Sequence, residues 1–215
     1  MSTSAARLYT PSEAAVVSGV AVKAVNNAID KRIIRAARPG RTAEGRKGMR
    51  TLTKDDLLRL KLWYEVGDIL SQERRERLFE AIRAQPEAKL LKADNLLFVD
   101  VAQARKEIAE RARELDAADA IVVSDKTIMG GEAVFKGTRI PVRLIAAMLA
   151  DGVDEAEILE GYPRLDRRLL ALAKIWTAAH PRRGRPKSLK DKGFTLKSTK
   201  RAVLKRGSSL AKANA

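Results

Sequence analysis

The sequence predicts a mainly α-helical protein in which short β-hairpins separate the helices. Helix-start signals recur along the chain, and the segments that follow them repeat apolar residues at helical spacing. The runs with extended-favouring residues are brief, such as Leu96–Val99 and Ile121–Val123. Strands this short form hairpins more readily than large sheets, so we expect helices to dominate the fold.

The charge of the chain is unevenly distributed. The 215 residues carry a net charge of +16, of which twelve Lys/Arg and one acid from Arg182 onward supply +11. A basic tail of this kind favours a polyanionic or acidic partner, and the alternative is a solvated tail with no specific partner. The chain has no cysteine, which excludes disulfides and thiolate metal sites. No apolar run approaches the about 18 residues of a membrane span, and no secretory signal is visible, so we expect a cytoplasmic protein.

The N-terminal part has the pattern of a helix-turn-helix. Thr10-Pro-Ser-Glu13 is a capping box with proline at the first helical position, and the helix should run to about Val17. Ser18-Gly19 makes a turn, and Val20–Ile29 is a second short helix. Its polar face offers Lys23, Asn26 and Asn27, which suit phosphate and base contacts in a DNA groove. Taken alone, the helix is better interpreted as having an ordinary polar face.

A glycine-containing basic segment follows these two helices. Residues 31–50 hold eight Lys/Arg and one acid, and short extended pieces flank the segment. This order resembles MerR-like winged domains, whose third helix begins just after the wing, here at the N-cap Thr53. Several cations on a wing would contact the phosphate backbone. The candidates are Arg35, Arg38, Arg41, Arg46, Lys47 and Arg50.

The middle of the chain predicts connecting helices. Thr53 begins a helix that runs to about Ile69, and Ser71 begins another that ends before Pro86. Leu96–Val99 is a strand, and Asp100 caps a long amphipathic helix, Val101–Ala117.

The stretch Gly130–Val142, GGEAVFKGTRIPV, predicts a hairpin that leads into a helix. Val134-Phe135 and Arg139-Ile140 are the arms, and Gly137 is free to take a positive φ between them. Val142–Ala150 shows helical spacing, with Leu144 among its apolar residues. A capping box at Asp154–Glu157 and an N-cap at Asp166 begin two further helices.

This stretch, followed by AEILEGYPRL, resembles the signature of a small family of bacterial and archaeal helix-turn-helix-like domains of unknown function. Longer members with an extra N-terminal DNA-binding domain resemble VapB-type antitoxins, the partners of PIN-like ribonuclease toxins. The resemblance implies that a flexible C-terminal segment crosses the toxin's active site. Its arginines would pair with the acidic residues that hold the toxin's metal. The candidates are Arg182, Arg183 and Arg185.

Two other interpretations of the tail stay open. The RGRP sequence resembles an AT-hook, which lies in a narrow minor groove, and a basic tail can also have an incidental sequence. Catalysis has little support, because the only histidine, His180, precedes Pro181 at a helix end and suits a C-terminal cap better than a base. We therefore expect no enzyme activity, no cofactor and no metal site.

Together the sequence patterns and the family resemblance predict four segments. Residues 1–70 form a winged helix-turn-helix domain, 71–120 a helical connector, 121–180 an antitoxin-associated helical domain, and 181–215 a disordered basic tail. We expect a homodimeric antitoxin that inhibits a PIN-like ribonuclease toxin, joins it in a hetero-oligomer, and represses its own operon by binding operator DNA. The alternatives are a stand-alone MerR-like regulator with a ligand-sensing C-terminal domain, and an architectural DNA-binding protein with an AT-hook.

Overall fold

The fold is mainly helical, with two short antiparallel hairpins, as the sequence predicts. The computed structural model describes residues 7–34, 36–37, 50–93 and 97–182. The elements in these ranges are α1 (Pro11–Ser18), α2 (Val22–Asp30), α3 (Lys54–Glu65), α4 (Gln72–Ala84), β1 (Leu90–Lys92), β2 (Phe98–Asp100), α5 (Val101–Ala120), β3 (Val122–Ser124), β4 (Ala133–Phe135), α6 (Val142–Ala150), α7 (Glu155–Gly161) and α8 (Arg167–Ala179). Within these ranges, no helix is both long and apolar enough to cross a membrane.

The predicted capping box at the start of α1 is confirmed. Thr10 Oγ1 accepts from the Glu13 N–H at 3.4 Å, and the Glu13 carboxylate accepts from the Thr10 N–H at 2.6 Å. Gly19 ends the helix with φ 74° and donates its N–H to Ala15. The chain then extends before it coils again, so α2 begins at Val22 and not at Val20 as expected.

The next two helices also begin where the sequence predicts. Thr53 forms a capping box with Asp56 at the start of α3, and the Ser71 hydroxyl accepts from the Arg74 N–H at the start of α4. However, α3 ends at Glu65, four residues before the predicted Ile69. Turns with buried Val66 and Leu70 follow it and direct the chain into α4.

The two hairpins pair differently from the prediction. The strand expected at Leu96–Val99 spans Phe98–Asp100 in the described part of the chain. It pairs with β1, a strand that the sequence did not predict. Asp100 caps α5 as expected, but this helix continues to Ala120, three residues beyond the predicted end. The short strand β1 carries two leucines and a lysine, which give no distinctive strand pattern.

The GGEAVFKGTRIPV stretch forms the predicted turn but not a full hairpin. Gly137 has φ 77°, and Phe135 and Ile140 share a backbone hydrogen bond of 3.0 Å across the turn. The arms meet only at a single bridge between Val134 and Pro141, because β4 pairs along its length with β3 instead. The motif therefore supplies β4, the second strand of the C-terminal hairpin, and the turn that follows it.

The helices that follow match their predicted starts, with two corrections. Helix α6 spans Val142–Ala150 as predicted, but Leu144 is 43% exposed and does not join the core. Asp154 is the N-cap of α7 without a side-chain capping bond, so the expected capping box there is wrong. Asp166 accepts from the Leu169 N–H at 2.7 Å and caps α8 as predicted.

Buried apolar residues form two clusters. The larger joins α1–α5 and the β1–β2 hairpin, and the smaller lies among β4, α6, α7 and α8. Helix α8 also packs against α1 and α5, and its end contributes Ala179 to the larger cluster. Residues Met1–Pro181 thus form one compact unit, and the second unit begins at Arg182. The finer division at residues 70 and 120 stays a prediction.

Candidate nucleic-acid interface

Helix α2 presents the polar face that the sequence predicts. Val25 and Ala28 are fully buried against the core, while Lys23 and Asn27 on the opposite side are exposed. Asn26 is half-buried, and its amide donates to the Val22 carbonyl one turn earlier at 3.1 Å. Lys23 and Asn27 therefore keep their side chains available to a ligand, whereas one amide hydrogen of Asn26 is used within the helix.

The ends of the predicted wing lie side by side. Ala37 and Thr51 form an antiparallel bridge with two hydrogen bonds of 2.9 Å, and Leu52 bridges back to Tyr9. The basic segment thus leaves the core and returns to it at one place, as a wing requires. Arg35, Arg38, Arg41, Arg46 and Lys47 lie outside the described residues, so their placement on a wing stays a prediction.

The remaining wing cation, Arg50, contacts a carboxylate. Its guanidinium lies 2.8 Å from Asp30 at the end of α2, and this pair is largely exposed. The contact orients the base of the basic segment beside the polar face of α2. Because an exposed ion pair contributes little free energy, Arg50 can exchange this partner for a phosphate at small cost.

The turn between α1 and α2 is held by two more distant helices. A Cβ atom at Gly19 would collide with the Arg111 guanidinium of α5. On the other side, the Tyr64 hydroxyl of α3 donates to the Ala24 carbonyl at 2.8 Å, and burial raises the pKa of this phenol. The Tyr64 hydrogen bond therefore orients α2 against α3, while the Arg111 side chain lies close to the glycine that ends α1.

A buried lysine joins α3 to α5. Lys61 is 6% exposed and its Nζ lies 2.7 Å from Glu107, with Glu65 as a second partner. Burial lowers the pKa of Lys61, but the hydrogen bonds and charges of Glu107 and Glu65 outweigh this and raise it. The hydrogen bond from Lys61 lowers the pKa of Glu107. At neutral pH Lys61 and Glu107 are therefore both charged, and their contact is an ion pair.

A second charged cluster joins the two ends of the described chain. Arg7 contacts Glu13, Asp116 and Asp119, and Nε2 of His180 lies 2.7 Å from Asp119. We name these five residues the Arg7 cluster. Ligand atoms of Glu13, Asp119 and His180 lie within 4.8 Å of one another, a spacing that could hold a metal. The Arg7 guanidinium already supplies the positive charge, so we assign the cluster a structural role.

His180 occupies the C-cap position of α8, as the sequence predicts. Its ring packs on Trp176 with centroids 4.9 Å apart, and its carbonyl accepts from Arg143. Arg182, two residues further, is exposed. The other two predicted toxin contacts, Arg183 and Arg185, lie outside the described residues.

A cleft of about 520 Å³ lies between α3, α4 and α5. Its walls include the buried side chains of Leu58, Phe79 and Ile108. Arginines from all three helices line it as well, namely Arg59, Arg83 and Arg105. A lysine and three acids also line the cleft, namely Lys54, Asp55, Asp56 and Glu87, so charges of both signs are present. Apolar side chains with a few charged groups suit a small molecule with an apolar body and a charged group.

Comparison with known proteins places the chain among uncharacterised relatives. A family model described as a protein of unknown function, DUF433, matches residues 122–174. The uncharacterised protein y4eO of Sinorhizobium fredii (strain NBRC 101917 / NGR234) is 33% identical over 217 residues, which cover 94% of this chain and 95% of the relative. The chain belongs to the family of that protein.

A solved structure resembles the chain more distantly. The X-ray crystal structure of Rv2018 from Mycobacterium tuberculosis shares 15% identity with it and covers 78% of this chain and 96% of its own, with a TM-score of 0.31. A likeness at this TM-score carries no argument about fold or function.

In this family member, sequence reasoning missed the contacts that join distant segments. Arg7 and Asp119 are 112 positions apart, and Asp119 and His180 are 61 apart. Each of these residues lies at a helix end or in a polar stretch, where charged side chains are ordinary. A buried lysine in a leucine-rich helix, as at Lys61, was the one available signal, because an unpaired charge is rarely placed at such a position.

Proposed function

We propose that this protein is an antitoxin that binds its own operator DNA and inhibits a PIN-like ribonuclease toxin. The observation that carries the DNA-binding part is the exposed face of α2 with Lys23 and Asn27, beside the paired ends of a basic segment. Asparagine matches the edge of adenine and lysine contacts phosphate or guanine, so this face suits a major groove. The protein has no catalytic role in this proposal.

The toxin-binding part rests on the resemblance of residues 122–181 to antitoxin-associated domains. The compact unit ends at Pro181, so the arginines at 182, 183 and 185 follow directly after it. Guanidinium groups form bidentate pairs with carboxylates, and an acidic nuclease site offers several. In this proposal, the tail neutralises the toxin while the folded unit holds both the toxin and the operator.

The toxin-binding part is tested by affinity capture from the native host. The baits are the full chain, a variant with Arg182, Arg183 and Arg185 changed to alanine, and a control with Lys197, Lys200 and Arg201 changed to alanine. We expect the full chain and the control to retain an inactive small nuclease, and the first variant to lose it or leave it active. If the full chain retains no nuclease, the antitoxin proposal fails.

The operator-binding part is tested by fluorescence anisotropy with DNA from the protein's own promoter. We expect saturable binding that is tighter than to a scrambled duplex and that weakens steeply with salt. Toxin should strengthen this binding if the complex joins two dimers on adjacent half-sites. An equal affinity for promoter and scrambled DNA would contradict operator recognition and favour an architectural role.

The cleft between α3, α4 and α5 favours a second candidate function, a stand-alone MerR-like regulator with a small effector. The cleft is lined by residues of α3, α4 and α5 and not by the C-terminal cluster, where a sensing domain was expected. Phenylacetate and benzoate are suitable probes. This candidate is supported if a probe raises the melting temperature of the wild-type chain and changes its affinity for the operator, and if Ile82→Trp abolishes the rise in melting temperature.

A further inference from the structure

Among the residues that the structure describes, nothing pairs with the outer edge of the β1–β2 hairpin, and one of its faces is uncovered. The hairpin is a two-stranded sheet in which Leu91 and Val99 point inward and are buried. Leu90 and Phe98 point outward and are 57% and 56% exposed. Isolated two-stranded sheets are marginally stable, and an exposed edge is a template for another strand.

The register of the hairpin shows which backbone groups are free to pair. Ala93 donates to Leu97, and Val101 donates to Lys89, both at 2.9 Å. Hydrogen-bonded pairs alternate along an antiparallel ladder, so Leu91 and Val99 form the bonded pair between these two. The N–H and C=O groups of Leu90 and Lys92 therefore point away from β2, toward the outer edge of β1.

We propose that β1 pairs antiparallel with β1 of a second copy of this chain, which makes a four-stranded sheet across a two-fold axis. With the axis at Leu91, each Leu90 lies opposite Lys92 of the other copy. The N–H groups of Leu90 and Lys92 in both copies then donate four hydrogen bonds, and the C=O groups of the same residues in the opposite copy accept them. A two-fold interface uses the same surface on both copies, and this strand is self-complementary in that register.

The side chains favour this register over the one with its axis at Lys92. An axis at Lys92 would place two lysines directly opposite each other, which is destabilising. With the axis at Leu91, one row of the outer face reads Phe98, Lys92, then Leu90 and Asp100 of the second copy. Lys92 and that Asp100 are then about 10 Å apart at the backbone, within reach of a long side chain. Apolar and charged groups alternate along this row, and no like charges lie directly opposite each other, although the two copies of Lys92 are diagonal neighbours.

This inference deepens the proposed function and rests on it only for the reason why a dimer is needed. A two-fold repeated operator would need two copies of the proposed helix-turn-helix. The experiment is independent of DNA and toxin. It measures the mass of the full chain by light scattering after size-exclusion chromatography, at several concentrations. We expect twice the monomer mass at high concentration.

Proline substitutions test the edge directly. Because the N–H groups of Leu90 and Lys92 point outward, Lys92→Pro removes no bond within the hairpin but blocks the outer edge. We expect Lys92→Pro to be monomeric at concentrations where the wild type is dimeric, with circular dichroism unchanged. The matched control Lys92→Ala keeps the N–H and should stay dimeric, as should Ile69→Glu, which changes an exposed apolar residue elsewhere.

Three results would overturn the inference. The first is a wild-type chain that stays monomeric at every concentration. The second is a Lys92→Pro variant that stays dimeric. The third is a Lys92→Ala variant that dissociates as fully as Lys92→Pro, since the side chain and not the backbone edge would then hold the dimer. If Lys92→Pro is misfolded by circular dichroism, Leu90→Pro provides the same test at the other outward N–H. Operator and nuclease measurements stay informative in each case, so the two proposals can fail separately.

Discussion

At the residue scale, single side chains fix the turns and junctions of the chain. Thr138 shows this in the KGTRIPV motif, since its hydroxyl donates to the Phe135 carbonyl at 2.9 Å and accepts from the Ile140 N–H at 3.1 Å. Gly137 beside it adopts φ 77°, and a Cβ atom added there would meet none of the described residues within 4 Å. Thr138 and Gly137 therefore shape the backbone, and the lysine and arginine on either side of them stay exposed.

Gly137→Ala should destabilise the fold because of backbone strain alone. An L-residue in the left-handed region costs about 1–2 kcal/mol, and no clash with a described residue adds to this. Chemical denaturation would measure the loss in free energy of unfolding. The matched control is Gly161→Ala at the end of α7, where φ is ordinary and the substitution should be neutral or stabilising by up to about 1 kcal/mol. An equal loss in both variants would contradict this account.

At the element scale, the helix starts were predictable and the strand pairing was not. Thr10, Thr53, Ser71, Asp100 and Asp166 all act as N-caps, because a cap depends on residues within one turn. The pairing of β4 with β3 depends on strands separated in sequence, and Val134-Phe135 could equally have paired with Arg139-Ile140. Likewise, the polar face of α2 could be predicted from its periodicity, but the Arg50–Asp30 contact could not.

The polar face of α2 predicts two distinct DNA-binding defects. Asn27→Ala should cost about 1–3 kcal/mol and relax specificity at one base, whereas Lys23→Ala should weaken binding to all sequences and reduce the salt slope by about 1. Anisotropy titrations at several salt concentrations would separate these effects. Lys126→Ala, an exposed lysine of the C-terminal part, is the control and should change neither quantity. If Lys126→Ala changed the affinity and the salt slope as much as the α2 variants do, the DNA would not bind at the polar face of α2.

The pairing of α3 with α5 should depend on pH. In the folded state the hydrogen bond from Lys61 holds the pKa of Glu107 below its ordinary 4.5. The contribution of Glu107 to the stability of the fold is therefore present above about pH 4.5 and is lost as the pH falls through the lowered pKa. Glu107→Gln should therefore lower the melting temperature at pH 7, and the difference from the wild type should shrink in acid. Glu73→Gln, at an exposed pair on α4, should show no such trend. A constant difference for Glu107→Gln between pH 7 and pH 3 would refute this.

At the scale of the whole molecule, the first and last helices of the compact unit meet. The Arg7 cluster connects the segment before α1 with the ends of α5 and α8, and it buries Glu13 at 8% exposure. The C-terminal end of α8 is therefore held beside the start of α1. The sequence predicted the separate parts but not this closure, since long-range charge pairing leaves no periodic pattern in a single sequence.

Arg7→Met should destabilise the compact unit more than an equivalent change at the surface. It leaves the buried carboxylate of Glu13 without its cation, which costs about 1–3 kcal/mol. Arg77→Met is the control, because its pair with Glu73 is almost fully exposed and such pairs contribute about 0–1 kcal/mol. Urea denaturation would compare them. Similar losses in both variants would show that the Arg7 cluster contributes no more than a surface pair.

The packing of α8 against α1 has a consequence for the synthesis of this protein. Helix α1 is synthesised long before α8, which packs against it. At 5–20 residues per second, the interval is roughly 10–30 s. During that time the nascent chain exposes to chaperones and proteases the side of α1 that α8 covers, and α5 is exposed in the same way once it has been made. A chain whose translation stops before α8 keeps them exposed permanently, so the cell can distinguish finished from unfinished copies by this surface.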